Sequence, residues 1–198
     1  MILADKLYGL VLAGGQSLRM GIDKGLLAYH ELPQREYVFK MLLEICDSAY
    51  ISIRENQQKE FTTTSSLIVD EDTYKGPING ILSAHHYNKN VAWLVVACDL
   101  PLLNVSTLAY LKSKRNKEKV ATVFLSEEKN IEPLCAIWEP HGLEKVKTFI
   151  AENNTYSPSK FLQNEDVEKV LLPNCEDLWN VNEQSEVVVA RQKIKERE

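Results

Sequence analysis

A short apolar segment that leads directly into a glycine-rich loop is the feature that most restricts how this chain can fold. Residues 7–12 have the composition of a β-strand, and Gly14 and Gly15 follow almost at once. Because glycine lacks a Cβ, the backbone there can adopt positive φ angles and bring its N–H groups against anionic oxygens. Arg19 and Lys24 add two cations at the far end of the loop. The pattern predicts a phosphate-binding loop, and the alternative is an ordinary glycine-rich turn.

The spacing of these glycines excludes the two commonest nucleotide-binding fingerprints. The loop is not G-x-G-x-x-G, and no Gly-Lys pair in the chain is followed by Ser or Thr. Neither the Rossmann dinucleotide loop nor the Walker A loop therefore fits.

Strands alternate with helices along the chain, a pattern typical of a mostly parallel sheet covered on both faces. After the first strand, apolar runs predict strands at residues 50–53, 67–69, 93–97, 120–125 and 134–138. Helical spacing and capping residues predict helices at residues 35–47, 77–86, 104–114 and 183–198. The run at 93–97 is apolar throughout, so it should be the central strand. The polar stretch at 152–162 is expected to be a connector or a substrate-facing loop.

Composition limits the classes of protein that remain. With 198 residues, of which 44% are hydrophobic, the chain suits one compact domain with a sizeable core. The net charge of −5 argues against a nucleic-acid-binding surface. The N-terminal residues are too polar for a signal peptide or membrane span, so we expect a cytoplasmic protein with no membrane partner. The four cysteines form no C-x-x-C pair and are expected to be reduced.

The sequence L-A-G-G-x-S-x-R-M-G-x-D-K at residues 12–24 resembles the signature loop of the molybdenum cofactor guanylyltransferases, within the nucleotidyltransferase superfamily. The resemblance continues in order at residues 69–70, 76–80, 98–101, 133–134 and 179–182, and so covers most of the chain. It implies a three-layer α/β/α, Rossmann-like fold with a mostly parallel sheet, of the nucleotide-diphospho-sugar transferase type. It also implies a single nucleotidyltransferase domain over residues 1–198.

The resemblance further implies a reaction and its participants. GMP would pass from GTP to the terminal phosphate of molybdopterin, with release of pyrophosphate and with Mg²⁺ as cofactor. Molybdenum-insertion proteins and molybdoenzyme chaperones would be further partners. Leu-Ala-Gly-Gly is linked to the guanine-using branch and Leu-Ala-Ala-Gly to the cytidine-using branch, so Gly14 favours GTP. A cytidylyltransferase, a sugar or alcohol nucleotidyltransferase and a catalytically silent nucleotide-binding module remain as alternatives.

A carboxylate at the end of the expected central strand is the second chemical landmark. Asp99 follows that strand directly, and ligands of open α/β sheets bind at the carboxyl edge of the strands. Mg²⁺ typically takes one or two carboxylates together with substrate phosphates, so Asp99 is the expected metal ligand. The alternative is a helix cap, for which Pro101 and Asn104 offer another helix start.

By the same resemblance, Arg19, Lys24 and Asp99 are the expected catalytic residues. Asn182 would place an amide oxygen near Mg²⁺, although it could instead cap the terminal helix. The expected nucleotide-binding residues are Leu12, Ala13, Gly14, Gly15, Lys24, Ser52, Asp70, Gly76, Gly80 and Asp99. Asp70 could also be one acid of a solvated acidic run, and Gly76 part of a plain Gly-Pro turn.

The chain departs from the family pattern at two places. The family commonly has an Asn after the second strand, where Ser52 stands here, and its usual Gly-x-Pro is altered at residues 31–33. The pterin-binding residues cannot be assigned from the sequence, and residues 132–134 and the loop around Asn154 are the candidates. The histidines and tryptophans are expected to be structural.

Overall fold

The computed structural model describes residues 4–15, 23–61, 66–126 and 128–197. Within these ranges, seven strands form one mixed sheet. The strands are β1 (Leu7–Leu12), β2 (Ser48–Ile53), β3 (Leu67–Val69), β4 (Ala92–Ala97), β5 (Ala121–Leu125), β6 (Ile131–Trp138) and β7 (Glu168–Leu171). Their order is β3-β2-β1-β4-β6-β5-β7, which places β4 at the centre as the apolar run predicts.

Helices cover both faces of this sheet. They are α1 (Gln34–Ile45), α2 (Pro77–Tyr87), α3 (Val105–Ser113), α4 (Pro140–Asn153), α5 (Pro158–Asn164) and α6 (Gln184–Arg197). One core cluster joins α1 and α3 to the sheet, and a second joins α2, α4 and α5 to its other face. All six residues of β4 are buried, because both faces of the central strand are covered. The three-layer architecture expected from the alternating elements is confirmed.

The sheet is parallel on one side and mixed on the other. β1 pairs in parallel with β2 and β4, and β2 pairs in parallel with β3. β6 runs antiparallel to both β4 and β5. The carboxyl ends of β1 to β4 therefore lie at the same edge, and the residues that follow them come together there.

Most predicted elements are present, with ends shifted by a few residues. The helices α4 and α5 and the strand β7 were not predicted. The polar stretch at 152–162 is the end of α4, a turn at Asn154 with φ of 48°, and the start of α5. Both helices carry Pro at the first position, and the side chain of Ser157 caps α5, so local signals for them exist.

β6 begins at Ile131 rather than at the predicted residue 134. The pairing with β5 shifts register between Val123 and Phe124, which marks a bulge that accommodates Pro133 inside the sheet. The side chain of Glu132 accepts a hydrogen bond from the N–H of Leu134 at 3.0 Å and so satisfies a backbone donor at the bulge. Leu134, just after the bulge, lines the site described below.

The cysteines and two of the tryptophans behave as the sequence predicts. The four cysteines are free thiols, and the side chains of Trp93 and Trp138 are fully buried, as expected of core residues. No helix in the described ranges is both long and apolar enough to cross a membrane.

Candidate active site

A cleft of about 760 Å³ opens at the carboxyl edge of the parallel strands. It brings together the predicted site residues that the structure describes, with the exception of Ala13. These are Leu12, Gly14, Gly15, Lys24, Ser52, Asp70, Gly76, Gly80, Asp99 and Asn182. Arg19 lies outside the described residues. The parallel register of β1, β2, β3 and β4 brings these segments, which are distant in sequence, to one edge of the sheet.

The ammonium group of Lys24 bridges two oxygen-bearing side chains at the centre of the cleft. Its Nζ lies 3.3 Å from Asp99 Oδ2 and 2.7 Å from Asn182 Oδ1. Three widely separated parts of the chain therefore meet at one point: the glycine-loop segment, the end of β4 and the segment before α6. A cation already sits between the two groups that the resemblance assigns to a metal, which shows that the pair favours positive charge.

The helix-cap alternatives for these two residues are not what the structure shows. Asn104 caps α3, because its side chain accepts a hydrogen bond from the N–H of Thr107. The helix α6 begins at Gln184, and the side-chain oxygen of Asn182 points at Lys24 instead.

The environment of Asp99 fits a bound cation. Its Oδ1 atom is buried and has no hydrogen-bond partner among the described residues. A buried acceptor without a donor costs stability, so an unsatisfied carboxylate oxygen at a cleft indicates capacity for a ligand. The carboxylate of Asp99 and the amide oxygen of Asn182 are the hard oxygen donors that magnesium prefers.

A second carboxylate, Asp70, is held in a fixed orientation by its neighbours. Ser52 Oγ donates to Asp70 Oδ1 at 2.5 Å. A Cβ at Gly14 would lie 2.7 Å from Asp70 Oδ2, and a Cβ at Gly80 would collide with Ser52 Oγ. Gly80 thus allows close packing against Ser52, and any side chain at position 14 would force Asp70 Oδ2 to move. Ser52, where the family commonly has Asn, contacts Asp70 directly.

The pKa of Asp70 is raised to about 6 from its ordinary value of 3.8, mainly by burial and to a smaller extent by the negative charge of Asp72. Hydrogen bonds from Ser52 and Asn79 and the positive charge of Arg54 act in the opposite direction. A carboxylate with a strongly perturbed pKa in a cleft is a typical property of functional sites. Asp70 is not one acid of a solvent-exposed run, because most of its side chain is buried.

The remaining loop residues occupy different positions around the cleft. Leu12 and Gly15 line it, whereas the side chain of Ala13 is buried in the core. The N–H of Ala13 donates to the carbonyl oxygen of Ser52 at 3.0 Å. Gly76 caps α2 with a φ of 69°, a left-handed conformation that favours glycine, and Pro77 occupies the first helical position.

The two candidate pterin segments differ in their position. Leu134 lines the cleft. The negative charge of Asp99 raises the pKa of Glu132, two residues before Leu134. Burial, more than that charge, holds the pKa of the Glu132 carboxyl above its usual range. Asn154 does not line the cleft and ends α4.

Arg54 and Gln57 are among the residues in or near the site that the sequence analysis did not assign. Arg54 lines the cleft, and its Nε is buried without a hydrogen-bond partner in the described part of the chain. Its position directly after β2 was a usable signal, since that strand ends at the ligand edge. Gln57 is buried, and it contacts Ala13 and Asp23, which lie too far from it in sequence for any pattern to show.

The chain is similar to known proteins of one family. The sequence model of a family described as "MobA-like NTP transferase domain" matches residues 9–168. A "Molybdenum cofactor biosynthesis bifunctional protein" from Synechocystis is 34% identical over 179 residues, covering 89% of this chain and 51% of that protein. The chain thus spans about half the length of that relative. A "Probable molybdenum cofactor guanylyltransferase" from Flavobacterium johnsoniae is 30% identical, covering 74% of this chain and 75% of the relative.

A solved structure shares the fold. It is that of molybdopterin-guanine dinucleotide biosynthesis protein A from Archaeoglobus fulgidus, which superposes with a TM-score of 0.79. The alignment covers 96% of this chain and 99% of that one at 18% identity. The expected fold class is confirmed by this similarity.

Proposed function

The chain belongs to the MobA-like NTP transferase family, and from that premise we propose that it transfers GMP from GTP to the terminal phosphate of molybdopterin. Pyrophosphate would be the second product. The proposal extends to this chain the activity for which its relatives are named, that of a "Probable molybdenum cofactor guanylyltransferase".

One observation supports the proposal most directly: Lys24, Asp99 and Asn182 meet in a cleft beside the glycine-rich loop. Two anionic substrates repel each other, so the protein must supply positive charge and hold the reacting atoms in line. The ammonium of Lys24 lies where it can contact a nucleotide phosphate. A Cβ at Gly15 would meet no described atom within 4 Å, so phosphate oxygens can approach the backbone there. Arg19 would add a second cation from the same loop.

The chemistry needs no covalent enzyme intermediate. An oxygen of the acceptor phosphate would attack the α-phosphorus of GTP, the bond to the bridging oxygen of the β-phosphate would break, and pyrophosphate would leave with the electron pair. Cys98 lines the cleft, but burial raises the pKa of its thiol to about 12, so it stays protonated at neutral pH. The charge that gathers on the leaving group is the main quantity to stabilise, and Lys24 is placed for that task.

We propose Mg²⁺ as the cofactor, held by Asp99 and by the amide oxygen of Asn182 together with substrate phosphates. The buried Oδ1 of Asp99, which has no partner among the described residues, supports this assignment. When bound, the ion would neutralise phosphate charge and polarise the reacting phosphoryl group.

Guanine selection would depend on Asp70. A carboxylate can accept hydrogen bonds from the two donors on the Watson–Crick edge of guanine, and Asp70 Oδ2 lies against Gly14 at the wall of the cleft. The position of Gly14 matters because a Cβ there would displace that oxygen.

Pyrophosphate release by the purified protein tests the proposal. The assay contains Mg²⁺ and molybdopterin, and GTP, CTP, ATP and UTP are offered separately. D99A is expected to lose release, whereas D166A, which changes an exposed acid of the surface pair with Lys119, should retain it. GTP-selective release that D99A abolishes supports guanylyl transfer. Selectivity for CTP would indicate a cytidylyltransferase, and nucleotide binding without release would indicate a regulatory module or another acceptor.

A further inference from the structure

A single buried amide connects the two ends of the glycine-rich loop. Gln57 lies on the 3₁₀ helix Glu55–Glu60 after β2, and the residue is 2% exposed. Its Nε2 donates to the carbonyl oxygen of Ala13 at 3.2 Å and to Asp23 Oδ2 at 2.7 Å. Ala13 precedes the glycines, and Asp23 precedes Lys24, so the two contacts hold the loop at its entry and its exit.

The amide of Gln57 is itself fixed by its own element. Its Oε1 accepts a hydrogen bond from the N–H of Arg54 at 2.9 Å. Both polar atoms of the amide are therefore bonded, which a buried amide requires. The orientation of the side chain is determined, because exchanging its nitrogen and oxygen would break all three bonds.

Asp23 transmits this restraint to Lys24. Its Oδ1 accepts a hydrogen bond from the N–H of Gly25 at 2.9 Å and so caps the 3₁₀ turn Lys24–Leu26. Asp23 also lines the cleft, where a carboxylate would repel nucleotide phosphates. The donors from Gln57 and Gly25 engage one oxygen each, and the acid serves as a structural cap beside the catalytic cation.

We propose that Gln57 is a positioning residue for the nucleotide phosphates, which sets the spacing of the loop ends and the placement of Lys24. The inference rests on the proposed function, since it assigns the loop to the phosphates of the nucleotide. It concerns the phosphate part of the ligand and not the base. Loss of the Gln57 side chain should therefore weaken the binding of a nucleoside triphosphate much more than the binding of the corresponding monophosphate.

The test measures equilibrium binding of GTP and GMP to Q57E by calorimetry in the presence of Mg²⁺. Glutamate has nearly the same shape but, when ionised, cannot donate to Ala13 or to Asp23. We expect GTP to bind at least tenfold more weakly, with GMP changed less than threefold. Q58E is the matched control, because it makes the same change at the adjacent exposed position and should bind both ligands as the wild type does.

A compensating variant separates positioning from general destabilisation. In D23N/Q57E the amide and the carboxylate exchange places, so the amide introduced at position 23 can donate to the carboxylate introduced at position 57, and its oxygen keeps the Gly25 cap. This double variant restores the contact at the loop exit but not the one with Ala13, so it should recover part of the lost GTP affinity relative to Q57E. If Q57E does not fold, Q57N, which keeps the amide on a shorter side chain, replaces it with the same expected selectivity for GTP over GMP.

Three results would overturn the inference. These are GTP affinity of Q57E within twofold of Q58E, equal weakening of GTP and GMP, and no recovery in D23N/Q57E. The binding titrations do not require turnover. The titrations are repeated with CTP, ATP and UTP and with the corresponding monophosphates. If the wild-type protein binds a nucleotide but releases no pyrophosphate, guanylyl transfer is refuted. The effect of Q57E on the binding of that nucleotide still tests the role of Gln57.

Discussion

The two edges of the sheet differ in whether their buried charged side chains have hydrogen-bond partners among the described residues. At the amino edge, Arg115 donates to both carboxylate oxygens of Glu139, at 2.6 and 2.9 Å, and also to the carbonyl oxygen of Ala4. At the carboxyl edge, Asp99 Oδ1 and Arg54 Nε are buried without hydrogen-bond partners among the described residues. At the amino edge the charged groups connect elements of the fold. At the carboxyl edge the polar atoms without partners among the described residues can form hydrogen bonds with a ligand.

This contrast means that stability and activity should respond to different mutations. A complete buried ion pair contributes to folding and need not contact substrate. An incomplete polar cluster in a cleft lowers stability or leaves it unchanged, and its value lies in binding. The following predictions test that separation, beginning with the largest expected effect.

Breaking the pair at the amino edge should give the largest effect, on folding alone. Arg115→Met leaves the carboxylate of Glu139 buried and unpaired, with its side chain 1% exposed. Loss of one partner of a buried pair costs about 3–5 kcal/mol of unfolding free energy. Chemical denaturation measures this change, while pyrophosphate release per folded molecule should stay at the wild-type value.

The double variant R115M/E139L provides the control for that prediction. It removes both charges, and replacing a buried pair by apolar side chains is often neutral or stabilising. Most of the lost stability should therefore return. A stability of R115M close to the wild type, or a selective loss of turnover, would contradict the assignment of this edge to folding.

At the carboxyl edge the opposite outcome is expected for Lys24→Met. Turnover should fall by about 10²–10³-fold, the usual loss on removing one group that stabilises transition-state charge. The melting temperature should change little, since the ion pair between Lys24 and Asp99 is partly exposed to solvent and such pairs contribute little to stability. K119M is a suitable comparison, because it removes a lysine paired with Asp166 on the surface and should leave turnover unchanged. Normal turnover in K24M would remove Lys24 from the mechanism.

The same contrast explains how much the sequence could predict. β1, the buried run of β4 and the glycine-rich loop are local patterns with strong composition signals, and they predict both the central sheet and the edge where Asp99 lies. The meeting of Lys24, Asp99 and Asn182 followed from the family resemblance and the rule that parallel strands end at one edge.

Features that depend on long-range contacts could not be predicted. The bulge at Pro133 arises from the register between β5 and β6, which no short window of sequence contains. Gln57 is one glutamine of a polar run, and only the folded structure shows that it contacts Ala13 and Asp23. The pairing of Arg115 with Glu139 joins residues 24 positions apart, so composition alone gives no signal for it.

The smallest predicted effect concerns Asp70, where stability and binding should change in opposite directions. Its folded pKa is raised, so the folded state holds the proton more tightly than the unfolded chain does. The stability associated with this group is complete below pH 3.8 and is lost as the pH rises through about 6. Asp70→Asn keeps an acceptor for Ser52 and removes the buried charge. We expect it to stabilise the protein at pH 8 by about 1–3 kcal/mol and to weaken GTP binding at least tenfold.

The pH dependence distinguishes this cause from simple repacking. The stability gain of D70N should shrink to roughly half between pH 8 and pH 5, because the wild-type carboxyl becomes protonated over that range. Denaturation at several pH values measures the gain, and calorimetry measures GTP affinity. D5N makes the same chemical change at an exposed acid paired with Lys117 and should leave GTP affinity as it is. A stability gain of D70N that does not depend on pH, or unchanged GTP binding by D70N, would contradict this prediction. Asp70 would then serve folding rather than ligand binding, as Glu139 does, and the functional difference between the two edges would not hold at Asp70.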